Sequence, residues 1–153
     1  MAVYFCDSSA IVKCYVQEQG SAWMVALLDA AAMHHLYLAR ITGVEVIAAV
    51  CRRARLGDIA ATDMAAALAQ FRQDFAGLYR MIEITPALVT RAMGFAETYA
   101  LRGYDAVQLA AAVEIHSRGD TLGLPVLTLV SADEDLNVAA TAAGLAVENP
   151  NRH

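Results

Sequence analysis

The sequence predicts an α/β fold built around a central, mostly parallel sheet. Short strand-like runs alternate along the chain with longer segments of helical periodicity, which is the pattern of strand–helix–strand units. Hydrophobic residues make up 58% of the 153 residues and charged residues 18%, which favours a large core over disorder. No internal repeat, linker or low-complexity tract divides the chain. We therefore expect residues 1–153 to form a single domain.

Five strands are expected from short runs of β-favouring residues. They span residues 3–6, 36–39, 80–84, 126–130 and 145–147. The fourth run is the clearest, because it is rich in Val and Leu and follows Pro125. The fifth is expected at an edge of the sheet.

Helices are expected between these strands from apolar residues at helical spacing and from start and stop signals. They span residues 8–17, 21–32, 42–56, 62–78, 86–101, 104–117 and 135–143. Thr85 and Pro86 supply a cap and a first-turn proline for the fifth helix. Gly57, Gly119 and Gly144 are expected to end three of the others.

Composition excludes several classes of protein. No apolar run reaches the roughly 18 residues of a membrane span, and the N-terminal segment lacks the basic region of a signal peptide, so we expect a cytoplasmic protein. The three cysteines and four histidines show no zinc-ligand spacing. The net charge of −5 gives no basic footprint of the kind typical of nucleic-acid binding.

Four acids stand where a parallel sheet would bring them together. Asp7 and Asp133 follow the first and fourth strands, and Glu45 and Asp105 lie near the starts of two helices. In open α/β sheets, ligands bind outside the carboxyl ends of the strands. A cluster of carboxylates is the donor set that Mg²⁺ or Mn²⁺ prefers, and without a cation it would repel itself.

Each acid also has a purely structural interpretation. Asp7 and Asp133, or Asp135 beside the latter, are good caps for the helices that follow. Asp105 in a first turn is favoured by the helix dipole. Thr42 and Glu45 match a capping box, in which the Glu carboxylate returns to the amide of the cap residue.

Two neighbouring patterns bear on the choice between these interpretations. Glu45 lies beside an apolar stripe that we expect to face the core, formed by Val44, Ile47, Ala48 and Cys51. The helix that begins near Asp105 is apolar nearly all round and is expected to be buried, with Gln108 on the same side as Asp105. A carboxylate in such surroundings is costly unless it is paired or bound to metal.

These residues resemble the motifs of PIN-domain ribonucleases, in particular the bacterial toxins called VapC. Residues 3–10 (VYFCDSSA) are similar to the first motif, residues 101–112 (LRGYDAVQLAAA) to the third and residues 129–136 (LVSADEDL) to the fourth, with Glu45 as the second acid. The resemblance covers nearly the whole chain in order and spacing.

The resemblance implies a three-layer α/β/α fold and Mg²⁺- or Mn²⁺-dependent hydrolysis of RNA that leaves a 5′-phosphate and a 3′-hydroxyl. It implies a homodimer, and inhibition by a small antitoxin protein that lays a segment across a groove. Asp7, Glu45, Asp105 and Asp133 would be the catalytic and metal-holding acids. Their secondary neighbours would be Asp135, Ser8, Ser131 and Gln108.

The acidic composition is a departure from what an RNA enzyme usually shows. If the four acids serve one metal site, twelve of the sixteen acidic residues remain against eleven basic ones, which is close to neutrality. RNA contact would then depend on a local patch, for which the candidates are Arg40, Arg52, Arg53, Arg55 and Arg102.

Other functions also place an acid after the first strand. One is a PIN-like module that binds RNA or protein without cleaving, and failure to bind Mn²⁺ would favour it. Haloacid-dehalogenase-like phosphatases need a second Asp two residues after the first, where this chain has Ser9. Receiver domains need a late lysine, whereas the single lysine here is Lys13.

Overall fold

The computed structural model describes residues 1–153 apart from the side chain of residue 32. Its sheet consists of five parallel strands in the order β3-β2-β1-β4-β5. The strands are β1 (Val3–Cys6), β2 (His35–Ala39), β3 (Arg80–Ile82), β4 (Leu127–Val130) and β5 (Ala146–Glu148). Because β1 lies between β2 and β4, its carboxyl end is in the middle of the sheet edge at which ligands bind in open α/β sheets.

Helices connect the strands and cover both faces of the sheet. They are α1 (Ser8–Ile11), α2 (Ser21–Asp29), α3 (Thr42–Arg55), α4 (Ala61–Gly77), α5 (Pro86–Tyr99), α6 (Gly103–Leu122) and α7 (Glu134–Ala142). Three short 3₁₀ turns accompany them at Val12–Cys14, Ala31–Met33 and Pro150–Arg152. Within these described helices, no segment is both long enough and apolar enough to cross a membrane.

Two hydrophobic cores lie on opposite faces of the sheet, because successive strand residues point to opposite sides. Val3 and Phe5 of β1 pack in the core that contains residues of α5, α6 and α7. Cys6 packs in the second core, with residues of α1 to α4. This is the three-layer α/β/α arrangement, and the predicted fold class is confirmed.

Element boundaries differ most from expectation at two helices, while α2 ends three residues early at Asp29 and β3 two residues early at Ile82. The first helix was expected over residues 8–17, but α1 ends at Ile11 and continues as a 3₁₀ turn. The sixth was expected to end near Gly119, whereas α6 runs on to Leu122 and ends at Gly123, whose φ is +67°. Gly119 is buried in the helix, where a Cβ would lie 3.7 Å from Leu124. A glycine inside a helix is tolerated where packing holds the helix together.

Gly20 is a point where the backbone conformation and a close contact both require glycine. Its φ is +84°, and a Cβ there would lie 2.5 Å from the carbonyl oxygen of Pro150. Gly57 has the same φ, but a Cβ added there would meet no atom within 4 Å. A substitution at Gly57 therefore measures the cost of the left-handed backbone conformation without a steric contact. The 3₁₀ turn at Pro150–Arg152 therefore rests directly on the start of α2.

We expect Gly57→Ala to lower the free energy of unfolding by about 1–2 kcal/mol, the cost of a left-handed conformation. Gly20→Ala should cost about 1–3 kcal/mol more, because its new methyl group meets backbone that cannot rotate away. Urea denaturation of both variants measures the difference. Equal losses would show that the contact between Gly20 and Pro150 is not maintained in solution.

Candidate active site

The carboxyl ends of β1 and β4 bring two of the four predicted acids to the same edge. Cys6 pairs with Val130, and the amide of Asp7 donates to the carbonyl oxygen of Val130 at 3.1 Å. Asp7 and Ser131 therefore follow adjacent strands at the same level, and Asp133 lies two residues further on.

Asp7 is a buried carboxylate, with 3% of its surface exposed. Its Oδ1 accepts hydrogen bonds from the amide of Ala10 at 3.0 Å and from Ser9 Oγ at 2.7 Å. Its Oδ2 accepts from Ser131 Oγ at 2.9 Å. Burial outweighs these bonds, and with the nearby charge of Glu45 it raises the pKa of Asp7 to about 7.

The bond to Ala10 makes Asp7 the N-cap of α1, as its structural interpretation predicted. Capping engages Oδ1, while Oδ2 is held by Ser131, which follows the neighbouring strand. The side chain therefore joins the start of α1 to the loop after β4. Helix capping and a role at the sheet edge are compatible in this residue.

Glu45 does not form the capping box that Thr42 predicted. The N-cap of α3 is Ile41, so Thr42 already lies within the helix. The Oε2 atom of Glu45 accepts from Ser8 Oγ at 2.7 Å, and its Oε1 accepts from Gln108 Nε2 at 2.7 Å. Because its helix begins one residue early, the Glu45 carboxylate turns toward α1 and α6 instead of its own N-terminus.

The prediction that the apolar stripe of α3 faces the core was also wrong. The side of α3 that faces the sheet carries Val46 and Val50, both fully buried, whereas Val44 is 65% exposed. Three residues of the stripe, Val44, Ile47 and Ala48, line an open apolar groove between α3 and α4 of about 640 Å³. The groove is bounded by Arg40, Gly43, Val44, Ile47, Ala48, Phe71, Arg72 and Phe75.

Asp105 lies half-buried in the first turn of α6, within the electrostatic field of the other acids. Burial raises its pKa, and the negative charges of Asp133, Glu45 and Asp135 raise it further, whereas Arg102 lowers it. The start of α6 thus faces acids carried by both α3 and α7.

Asp133 is the N-cap of α7, as one of its structural interpretations predicted. Its Oδ1 accepts from the amide of Leu136 at 2.9 Å, and its own amide donates to Ser131 Oγ at 3.0 Å. Ser131 therefore hydrogen-bonds both Asp7 and the backbone of Asp133. Asp135 is exposed in the first turn of α7.

Sequence reasoning gave no site role to Ser9 or Asn137. Ser9 Oγ contacts Asp7 and accepts from the amide of Ala132 at 2.9 Å, which ties the loops after β1 and β4 together. Asn137 donates to the carbonyl oxygen of Ser131 at 2.9 Å. The Ser–Ser pair after Asp7 was a signal for Ser9, whereas nothing local distinguishes Asn137 from other helical residues.

The residues present fit a divalent cation, although their side chains are not arranged around one. Among the groups described in residues 1–153, no three carboxylates, imidazoles or thiols are gathered closely enough to hold one ion. Two acids are turned toward helix amides, and like charges favour separation. A buried carboxylate of raised pKa among other acids is nevertheless a suitable oxygen donor set. The buried amide oxygen of Gln108, which no described donor reaches, shows that the polar groups beside these acids are not fully satisfied by the protein.

Comparison with known proteins gives the family. The family model described as "PIN domain" matches residues 4–142. The chain belongs to the PIN-domain family. Within that family it is of the VapC type, being 36% identical over 147 residues to proteins named Ribonuclease VapC45 and Ribonuclease VapC49 from two strains of Mycobacterium tuberculosis. The matches cover 95% of this chain and 93% of each relative.

Solved structures share the fold of this VapC-type chain at low sequence identity. PAE2754 from Pyrobaculum aerophilum matches with a TM-score of 0.64 and 21% identity, over 99% of this chain and 91% of that one. VapBC2 from Rickettsia felis, solved bound to a DNA fragment from its promoter, matches with a TM-score of 0.62 and 12% identity, over 96% of this chain and 98% of that one. FitAcB from Neisseria gonorrhoeae matches with a TM-score of 0.62 and 18% identity, over 96% and 97%.

Proposed function

We propose that this VapC-type PIN domain is a Mg²⁺- or Mn²⁺-dependent endoribonuclease that acts as the toxin of a toxin–antitoxin pair. The observation that carries the proposal is the arrangement of Asp7, Glu45, Asp105 and Asp133 around one edge of the sheet. Ser8, next to Asp7, hydrogen-bonds Glu45, and Ser131, two residues before Asp133, hydrogen-bonds Asp7. Burial together with the neighbouring acids raises the pKa of Asp7 and that of Asp105. The relatives named ribonucleases support it at 36% identity over nearly the whole chain. The whole chain, residues 1–153, would serve as one nuclease domain.

Asp7, Asp105 and Asp133 would hold the cation, with Glu45 helping to position it. When bound, a divalent ion supplies a Lewis acid that makes water a better nucleophile and offsets charge developing on the phosphate. The same charge would draw the four carboxylates together, because it removes the repulsion that now separates them.

The chain's own groups supply the proton transfer and the orientation. A carboxylate oxygen of Asp105 that does not bind the cation would accept the proton of the attacking water. Ser131 and Ser8 hold Asp7 and Glu45 by hydrogen bonds of 2.9 and 2.7 Å, which fixes the rotamers of both acids. Asp135 would add negative charge at the rim of the site.

RNA contact would depend on arginines near this edge. Among the five candidates, Arg40 is paired with Glu83 and Arg53 with Glu18, so their charges are partly offset. Arg102 is exposed, and its charge acts on Asp105. We therefore place the phosphate next to the cleaved bond beside Arg102.

Metal removal tests the proposed activity. Purified protein should cleave single-stranded RNA with Mg²⁺, lose cleavage in excess EDTA and regain it when Mn²⁺ is added beyond the chelator. Asp7→Asn should be inactive under all three conditions. Equal cleavage by the wild type with and without EDTA, or by Asp7→Asn, would contradict the proposal.

We place the antitoxin on the apolar groove between α3 and α4. Val44, which precedes Glu45 in α3, lines this groove, so the groove lies on the helix that carries one of the acids. Its apolar floor and the two arginines at its rim suit an amphipathic segment with acidic flanks. A related structure described as a toxin–antitoxin complex, from Klebsiella pneumoniae, supports such a partner.

Ala48→Lys tests this surface. Ala48 is exposed in the groove and outside the acid site, so the variant should cleave RNA like the wild type. It should bind its antitoxin, to be sought among small proteins encoded next to this gene, at least tenfold more weakly, because a charge enters an apolar contact. Unchanged affinity in a pull-down titration would place the antitoxin elsewhere.

A homodimer and a cytoplasmic location complete the proposal. Helix α5 exposes Val89 and Met93, 40% and 67% accessible, on the face turned away from the core, and a second copy would cover them. Light scattering should give twice the mass of the chain. RNA as substrate favours the cytoplasm.

A further inference from the structure

Gln108 is a buried amide whose hydrogen bonds lead to an acid of the proposed site. It is 1% exposed, on a helix whose neighbouring residues are almost all apolar. Its Nε2 donates to Glu45 Oε1 at 2.7 Å and to Thr42 Oγ1 at 3.0 Å. Gln108 lies one helical turn after Asp105, so the two side chains leave α6 on the same side.

The Glu45 carboxylate is held from both sides by donors on different elements. Ser8, next to Asp7 in the chain, donates to Oε2, and Gln108 donates to Oε1. The carboxylate therefore lies between a neighbour of Asp7 and a neighbour of Asp105. Each bond uses one lone pair, and the second lone pair of each oxygen stays available to another partner.

Burying the amide of Gln108 costs free energy that packing alone does not require. An aliphatic side chain would pack against buried residues such as Leu109 without desolvating an amide. The amide oxygen of Gln108 is buried, and no donor among the described residues reaches it. A buried polar group that is only partly satisfied points to a role outside packing.

We propose that Gln108 is a positioning residue, which holds the Glu45 carboxylate away from the amides of α3 and between Asp7 and Asp105, in the orientation that binds the cation. The inference rests on the proposed metal-dependent function. Gln108 acts through Glu45, and its amide does not contact the RNA.

Mn²⁺ affinity, measured by calorimetry on the full chain, tests this role without requiring turnover. Gln108→Met keeps an unbranched side chain of similar volume but removes the donor, and it should weaken Mn²⁺ binding about 10- to 100-fold, the usual effect of losing a partner of a metal ligand. Thr42→Val is the matched control. It removes the other acceptor of the same amide, leaves the bond to Glu45 and should change affinity less than about threefold.

The coupling with Glu45 separates positioning from a general structural effect. In a Glu45→Ala background, Gln108→Met should change Mn²⁺ affinity less than twofold, because the group it orients is gone. Thermal denaturation checks that each variant is folded, and Gln108→Leu replaces Gln108→Met if the latter is not.

The outcomes distinguish this inference from the proposed function. A wild-type protein that fails to bind Mn²⁺ overturns both. Binding that depends on Glu45 but not on Gln108 overturns the positioning role alone. Equal losses from Gln108→Met in both backgrounds, or an equal loss from Thr42→Val, would show that Gln108 acts through the fold and not through Glu45.

Discussion

Asp105→Asn should lower the rate of RNA cleavage by about 10²- to 10⁴-fold, the range typical of losing a positioned general base. Asparagine keeps the shape of the side chain but neither accepts a proton nor carries the charge that attracts a cation. Because Asp105 is only half-buried, the substitution should leave the fold intact. Single-turnover cleavage of a labelled RNA at saturating Mg²⁺ measures the chemical step directly.

Asp120→Asn is the matched control on the same helix. Asp120 is exposed near the end of α6 and pairs with His116, far along the helix from Asp105. Its replacement removes the same charge from the chain and should change cleavage less than twofold. Similar losses in the two variants would mean that net charge, and not the acid at the sheet edge, controls the reaction.

The pH dependence of wild-type cleavage also tests the role of Asp105. Burial and the negative charges of its neighbours raise the pKa of Asp105, so its proton is lost at a higher pH than that of an ordinary aspartate. Because Mg²⁺ must displace that proton from the metal-free protein, cleavage at limiting Mg²⁺ should weaken on the acid side at a higher pH than a free carboxyl group would predict, and Asp105→Asn should remove that limb from its residual activity. An acid limb that is unchanged in the variant would assign it to another group.

The approach of Asp7 to the residues that follow β4 was predictable because it follows from chain order alone. A strand that ends in an acid delivers it to the carboxyl edge, and parallel pairing then aligns Asp7 with the residues after β4. The capping functions of Asp7 and Asp133 were predictable from the local sequence, because Asp is a preferred residue at a helix N-cap. Neither required knowledge of the packing of the helices.

The face of α3 that is buried against the sheet was not predictable, because the sequence of this helix offers two apolar faces. Val46 and Val50 compete for burial with the stripe that contains Val44 and Ile47, and periodicity alone does not rank them. The contact between Gly43 and Phe75, in which a Cβ would lie 2.8 Å from the ring, brings α4 against the first turn and fixes the choice. The partners of Glu45 follow from that tertiary contact.

Asp7→Asn should stabilise the metal-free protein by up to about 4 kcal/mol at pH 8. The pKa of this carboxyl group is raised from 3.8 to about 7 in the folded state, and each pKa unit corresponds to about 1.4 kcal/mol. A raised pKa means that the folded state disfavours the ionised form. Stability is therefore present below pH 4 and is lost progressively as the pH rises to about 7.

Urea denaturation in EDTA at several pH values measures this effect. The gain from Asp7→Asn should shrink to about 2 kcal/mol at pH 5, where the folded wild type keeps its proton. Asp120→Asn should show no comparable pH-dependent gain.

A cation should reduce the difference in stability between Asp7→Asn and the wild type at pH 8. Mn²⁺ at 100 times its Kd adds about 2.7 kcal/mol to the stability of a protein that binds it only when folded. The wild type should gain this amount at pH 8, whereas Asp7→Asn, which lacks a charged ligand, should gain little. A variant that is less stable than the wild type at pH 8 in EDTA would show that the hydrogen bonds of Asp7 to Ser9, Ala10 and Ser131 outweigh its burial. Asp7 would then act mainly as the N-cap of α1, and its ionised form would be stable in the folded protein without a cation.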